Sequence, residues 1–182
     1  MTTLPYRELL SGDAPHKPLL KKKGSRGGRN AFGRITTRHQ GGGHKRRLRA
    51  IDFIYDKKDI PAKIETVEYD PFRSAFIGLA LYRDGERRYV ILPKEVKVGD
   101  SFIVATNAPL TVGNRLPLGS IPVGTFIYNI ELSPGAGAAL VRSAGNFAEV
   151  VAHDAGYTQV KLPSTEIRKI SDLAWASIGA VG

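Results

Sequence analysis

IPAKIETVEYDPFRSAFIGLALYRDGERRYVILP, residues 60–93, decides the fold. Over 60–69 apolar and polar residues alternate, the pattern of a half-buried strand. DPFRS (70–74) turns the chain into AFIGLALYR, and the pair Asp84-Gly85 is a two-residue hairpin signal leading to ERRYVILP. Upstream, AIDFIY (50–55) precedes the turn DKKD; downstream, VGD (98–100) introduces SFIVATNA. About five strands between residues 50 and 108, with no convincing amphipathic helix, point to a small closed or nearly closed barrel of OB-like type.

Beyond it, TVGNRLPLGSIPVG (111–124) is dense in Pro and Gly and reads as an irregular segment or a single short helical turn at a domain boundary. A second β series follows: TFIYNIEL, AALVRSA, FAEVVAHD, YTQVKLP and TEIRKI, with bends at Ala155-Gly156 and Pro163-Ser164, and SDLAWASIGAVG available to close the sheet. This is the texture of a small SH3-like barrel. The expected fold class is mainly β, with an extended basic arm over 1–49, an OB-like barrel over 50–110, a Pro/Gly linker over 111–124 and an SH3-like barrel over 125–182. No internal repeat is evident.

The bulk properties agree with two small domains: 182 residues, 42% hydrophobic and 24% charged. No run reaches the ~18 apolar residues of a membrane span, so no membrane partner is expected. The first twenty residues lack the apolar block of a signal peptide and, with Glu8 and Asp13 among them, do not resemble a transit peptide. With Cys 0 there is neither a disulfide framework nor a thiolate metal site, which fits a reducing compartment.

The net charge of +10 is concentrated at one end. Residues 1–50 hold 13 Lys and Arg against two carboxylates, whereas the remainder carries 14 cations and 15 anions. Between Asp13 and Asp52 there is no carboxylate. A solvated face usually mixes both signs; a carboxylate-free arm is what a polyanion selects. The core of the arm, GSRGGRNAFGRITTRHQGGGHKRR (24–47), offers little beyond Ala31, Phe32 and Ile35 to bury, so hydrophobic burial cannot offset the entropy of ordering it. Glycines allow close approach to a phosphate chain, and arginines bind phosphate bidentately or stack on bases. Lys17, Lys21, Lys22 and Lys23 add point charges, while Asn30, Thr36, Thr37 and Gln40 can donate to phosphate or 2′-hydroxyl oxygens. The expectation is that folded RNA orders the arm.

An enzymatic reading must use His39, His44 and Asp52 as a metal or hydrolytic site. The surrounding arginines repel a divalent cation, no H-E-x-x-H is present, and Gly41–Gly43 followed by His44-Lys45 do not satisfy the phosphate-loop pattern. His153, beside Asp154, reads as a polar residue flanking a turn. A free RNA-binding translation factor or RNA chaperone remains open on charge alone.

The runs GGRNAFGRITTRHQGGGHKRR, YDPFRSAFIGLALYRDGERRYVILP, GNRLPLGSIPVGT and LVRSAGNFAEVVAHDAGYTQVKLPSTEIRKI resemble, in that order and spacing, the bacterial-type ribosomal protein L-two family of the large subunit. The resemblance covers about residues 15–182. It implies an RNA-binding arm, the two barrels, and a structural role: binding large-subunit rRNA, helping the subunits associate and supporting the peptidyl-transferase region. The RNA-binding residues it implies are Lys21, Lys22, Lys23, Arg26, Arg29, Asn30, Arg34, Thr36, Thr37, Arg38, His39, His44, Lys45, Arg46 and Arg47 in the arm, with Arg73 and Arg142 in the body. Neighbouring ribosomal proteins are the other expected partners. No cofactor is expected, structural magnesium ions belonging to the rRNA.

Two departures from the family pattern stand out. SPGAGAAL (133–140) replaces a lysine-containing, glycine-rich loop, although Arg142 is retained. The family's basic C-terminal extension, which carries the histidine linked to peptidyl transfer, has no counterpart by Gly182, so no residue inherits a catalytic role. These features lead to the expectation of an organellar, mitochondrial ribosomal protein with a second polypeptide supplying the extension; a bacterial or plastid protein is the alternative.

Overall fold

A computed structural model describes residues 6–12, 14–22, 27–41 and 44–182. After a single helical turn α1 (Tyr6–Leu9), the elements are strands β1 (Leu20–Lys21), β2 (Leu48–Arg49), β3 (Ala62–Glu68), β4 (Ile77–Tyr82), β5 (Arg87–Ile91), β6 (Ser101–Phe102), β7 (Arg115–Pro117), β8 (Phe126–Tyr128), β9 (Ile130–Glu131), β10 (Ala138–Leu140), β11 (Ala148–Asp154), β12 (Tyr157–Lys161), β13 (Ile167–Ser171) and β14 (Trp175–Ile178). The protein is mainly β, as the texture predicts, and its sheets accord with the OB-like and SH3-like barrels expected.

The first sheet runs β5-β4-β3-β6, antiparallel throughout. The near-continuous apolar run IGLALY makes β4 a strand buried on both faces. Ala80 and Tyr82 join Ala62, Ile64, Val67 and Val90 in one core, while Ile77, Leu79 and Tyr89 form a second cluster on the opposite face. The hairpin expected at Asp84-Gly85 forms, but as a three-residue loop, Arg83-Asp84-Gly85, in place of a two-residue turn: the Gly85 amide donates to the Tyr82 carbonyl at 2.9 Å and Gly85 takes φ 87, a turn with a glycine bulge.

The opposite face is covered by the base of the N-terminal arm. Leu19 and Ile51 pack on Ile77, Leu79 and Tyr89, and the His16 amide donates to the Tyr89 hydroxyl at 2.8 Å. β1 pairs with β2, setting Lys21 opposite Leu48. Residues 1–49 are therefore not all appendage. The strand expected at 50–55 is likewise interrupted: Asp52 Oδ1 accepts the amides of Ile54 at 2.9 Å and Tyr55 at 3.0 Å, and Tyr55 takes φ 53. Only Ile51 bridges to Tyr89, because the aspartate offers the backbone a turn in place of a ladder.

The second sheet runs β13-β12-β11-β8-β14-β7. Ala155 (φ 47) and Gly156 (φ 85) make the two-residue turn between β11 and β12. β14 lies between β7 and β8, the closing role the sequence allows. The stretch 111–124 is more than a linker. It contributes β7, the expected short helical turn at Leu118–Ser120, and the fully buried Leu118 and Ile121. The crossing starts one strand earlier, where Val104 leaves the first sheet to bridge Arg115.

The two sheets share an interior. Ala75, Ile91, Tyr128 and Val181 cluster together, and the Gly182 amide donates to the Leu92 carbonyl at 3.0 Å. Beside them, Arg115 and Glu131, both almost wholly buried, pair at 2.9 Å. The Arg115 guanidinium lies 4.6 Å over the Tyr55 ring and donates to the Asn129 carbonyl at 2.6 Å. Asn129 Nδ2 in turn donates to the Tyr55 hydroxyl at 3.0 Å. Burial pushes the Tyr55 phenol up to about 12.

Candidate nucleic-acid interface

The arm departs from the sheet as a loop whose two ends are fixed side by side by the β1–β2 ladder. Within it residues 28–37 form a small self-bonded hairpin. The amides of Thr36 and Thr37 donate to the Gly28 carbonyl at 2.9 and 3.1 Å, and the Asn30 amide donates to the Arg34 carbonyl at 2.9 Å. Asn30 Oδ1 accepts the amides of Phe32 at 3.0 Å and Arg34 at 2.9 Å. Thr36 Oγ1 donates to the Gly28 carbonyl at 3.2 Å. The hydroxyl of Thr36, expected to donate to RNA, thus holds the loop's own backbone, as does the oxygen of Asn30, whose amide group is the expected donor. Part of the arm's order is internal. The signal is present in the sequence, since Asn readily caps turns of this kind, but the closing hydrogen bonds are not deducible from charge and composition.

The loop exposes Lys21, Lys22, Arg29, Arg34, Arg38, His39, His44, Lys45, Arg46 and Arg47 to solvent, along with Thr37. His39 takes φ 60 in the turn after Thr37, and His44 Nδ1 lies 3.1 Å from the Lys45 carbonyl. Lys23 and Arg26 lie outside the described residues.

At its return to the barrel the arm meets the turn that carries Arg73. Arg46 Nη1 donates to the Pro71 carbonyl at 3.2 Å and its guanidinium sits 4.9 Å from the Phe72 ring centre. Arg73 Nε donates to Asp70 Oδ2 at 2.6 Å, and Asp70 is completely buried. Arg73 and Arg142 both stand over Phe53, at 5.7 and 4.7 Å from its ring centre. Two arginines 69 positions apart are thereby joined through one ring, and the Arg46–Phe72 pair adjoins them through the chain neighbours Phe72 and Arg73, so that the five residues form a strip of two guanidinium–aromatic groupings. Sequence reasoning does not find Phe53 or Phe72; only the adjacency of Phe72 to Arg73 hints at either.

Ion pairing differs between this surface and one charged patch of the first barrel. Lys57, Arg87 and Arg88 on the first barrel are neutralised by Asp84, Glu86, Glu65, Asp52 and Asp56. The Arg88 guanidinium holds the Asp56 carboxyl below its usual range. None of the ion pairs found among the described residues involves a cation of the arm, nor Arg142. The unpaired cations of the loop, together with Arg142, are the electrostatic footprint of a phosphate chain, whereas Arg73 is held by Asp70.

The hydrolytic arrangement does not assemble. Asp52 is committed to two backbone amides and to Arg88 at 2.8 Å, and no group of three or more His, Cys, Asp or Glu suited to a metal occurs among the described residues. His153 lies 2.9 Å from the Ile121 carbonyl and 3.0 Å from Thr158 Oγ1, a tie between the second sheet and the 111–124 segment.

Comparison with known proteins bears on the same segments. Residues 16–104 match the family described as "Ribosomal Proteins L2, RNA binding N-terminal domain", and residues 111–182 match "Ribosomal Proteins L2, C-terminal domain". The chain is 52% identical over 175 residues to "Large ribosomal subunit protein uL2" of Buchnera aphidicola subsp. Acyrthosiphon pisum, in strains Tuc7, 5A and APS alike. The aligned region covers 96% of this chain and 64% of each relative, so the chain spans under two thirds of their length. All three relatives are bacterial and lend the mitochondrial expectation no support. With both domain families matched in order, and the arm and barrels in the places they require, the chain belongs to the ribosomal protein L2 family.

Proposed function

We propose that this chain is a non-catalytic structural constituent of the large ribosomal subunit that binds large-subunit rRNA through the arm loop and the strip from Arg46 to Arg142. The observation that carries the reading is the arm itself: a basic loop without carboxylates and, among its described residues, without ion pairs, seated on a folded barrel by the β1–β2 ladder. The names of the relatives, large-subunit proteins of bacteria, support the same assignment. The RNA-facing groups in this reading are Lys21, Lys22, Arg29, Arg34, Thr37, Arg38, His39, His44, Lys45, Arg46, Arg47, Arg73 and Arg142, with Lys23 and Arg26 added from the sequence. Asn30 and Thr36 act by shaping the loop. Subunit association, support of the peptidyl-transferase region and contact with neighbouring ribosomal proteins follow from family membership, and a bacterial cytoplasmic ribosome is the compartment the relatives favour.

Binding to a large-subunit rRNA transcript, titrated across salt concentrations, tests it. If about eight cations meet phosphates, log K against log salt falls with a slope of roughly −6 to −7. A slope near −2, or equal affinity for an unrelated duplex of the same length, overturns it.

A further inference from the structure

Phe32 is 90% exposed, more than any other large apolar side chain among the described residues. Isolated apolar residues on a surface are ordinary, but this one occupies an unusual place. It is at the tip of the 28–37 hairpin, whose backbone is fixed on both sides of it: Asn30 Oδ1 holds the Phe32 and Arg34 amides, and the Gly33 amide donates to the Asn30 carbonyl at 3.1 Å. The residue after it, Gly33, takes φ 78, the left-handed turn conformation that glycine adopts without strain. Arg29 and Arg34 flank the tip and are exposed. The internal hydrogen bonds of the loop thus hold the backbone of the tip, and the ring it carries is left almost wholly open to solvent.

We infer that Phe32 is a stacking platform for an unpaired RNA base, with Arg29 and Arg34 engaging the phosphates on either side of that nucleotide. The inference rests on the RNA-binding reading above and assigns to it a subsite of distinct chemistry. An aromatic face between cations suits a nucleotide, whose base is a flat π system and whose flanks are anionic; every base presents such a face, so the subsite selects an unstacked base, not a sequence. A protein partner covering Phe32 would have to meet Arg29, Arg34 and Arg38 within a few residues and bring carboxylates to them. The arm supplies none of its own between Asp13 and Asp52, so RNA is the partner the charge favours.

The test compares Phe32→Leu and Phe32→Trp with the unaltered chain on a large-subunit rRNA transcript. Leucine keeps apolar bulk but has no π face. Its binding is expected to weaken by about 5- to 150-fold, the equivalent of ~1–3 kcal/mol, while the salt slope stays unchanged. The Phe32→Trp variant is expected to retain the affinity, and the indole emission it adds to be quenched in the complex relative to the Trp175 signal of the unaltered protein. Wild-type affinity for the leucine variant, or an unquenched indole in the Phe32→Trp complex, overturns the inference while leaving the RNA-binding reading intact. If both variants keep the affinity for RNA but lose incorporation into the subunit, the ring faces protein and the inference fails. Loss of steep salt dependence in the unaltered chain removes both readings together.

Discussion

Gly28 is the residue on which the shape of the arm depends. It takes φ 71, and a Cβ there would stand 2.2 Å from the Thr37 carbonyl oxygen. That oxygen belongs to the backbone and cannot swing away, and left-handed backbone at a non-glycine residue adds its own strain of ~1–2 kcal/mol. Gly28→Ala should therefore open the hairpin that bonds Thr36 and Thr37 to the Gly28 carbonyl. RNA affinity is expected to drop about tenfold, in line with a strain of ~1–3 kcal/mol, with the thermal midpoint unchanged because the hairpin's hydrogen bonds are its own. Calorimetry and a filter-binding titration on the same preparation check both halves of that statement. A lowered midpoint would mean that the hairpin supports the fold; full affinity would mean that its shape is irrelevant to RNA.

At the scale of elements, the arm divides into a root and a loop. The root is structural: Leu10 packs in the first core and Leu19 on Ile77, Leu79 and Tyr89, while the Ser11 amide donates to the Val67 carbonyl at 3.0 Å. The loop between Lys21 and Leu48 rejoins the barrel where it left. Excising residues 23–46 and joining the ends with a short Gly-Ser turn should abolish salt-dependent RNA binding and leave the denaturation midpoint close to that of the full chain. Deleting residues 1–49 should instead destabilise the fold, by about 2–5 kcal/mol if losing Leu19 resembles a core truncation. Urea melts of the two variants decide; equal stability in both would return the whole arm to the status of an appendage. The sequence shows where the loop's charge lies but not that Leu19 packs, half-buried, on the barrel, since one leucine in a basic stretch carries no periodicity. The same limit explains the other differences. The alternation in 60–69 and the apolar run of 77–82 are legible because neighbours along the chain repeat the signal, whereas Leu118 and Ile121 are buried in one core cluster with Val160, Ile170, Ala174 and Ala176, partners more than thirty residues away. The Arg73–Phe53–Arg142 strip is legible only in its arginines, through family resemblance; the ring that joins them depends on the Asp52 turn.

At the scale of the whole molecule, the two barrels meet through an interior neither could complete alone. Tyr55 comes from the first half, Arg115 from the crossing segment, and Asn129 and Glu131 from the second. Glu131 also accepts the Gly135 amide at 3.0 Å and the Trp175 amide at 3.3 Å, so one carboxylate ties the guanidinium to two more strands or turns. Removing one partner of a buried pair strands the other charge, and Glu131→Ala should cost about 3–5 kcal/mol. Where that loss is felt distinguishes two barrels on a string from one cooperative body. If the shared interior couples them, native-state hydrogen exchange of amides deep in each sheet, such as Leu79 in the first and Val160 in the second, slows and quickens together, and both protection free energies fall by the same amount in the variant. If only Val160 and its neighbours lose protection, the halves unfold independently and the junction is a docking contact. The first outcome is expected, because the Pro93–Val181 bridge and the Val104–Arg115 bridge cross the same boundary on either side of the buried pair. A hinge there would have to break both bridges at once and expose Ala75, Ile91 and Tyr128 to water.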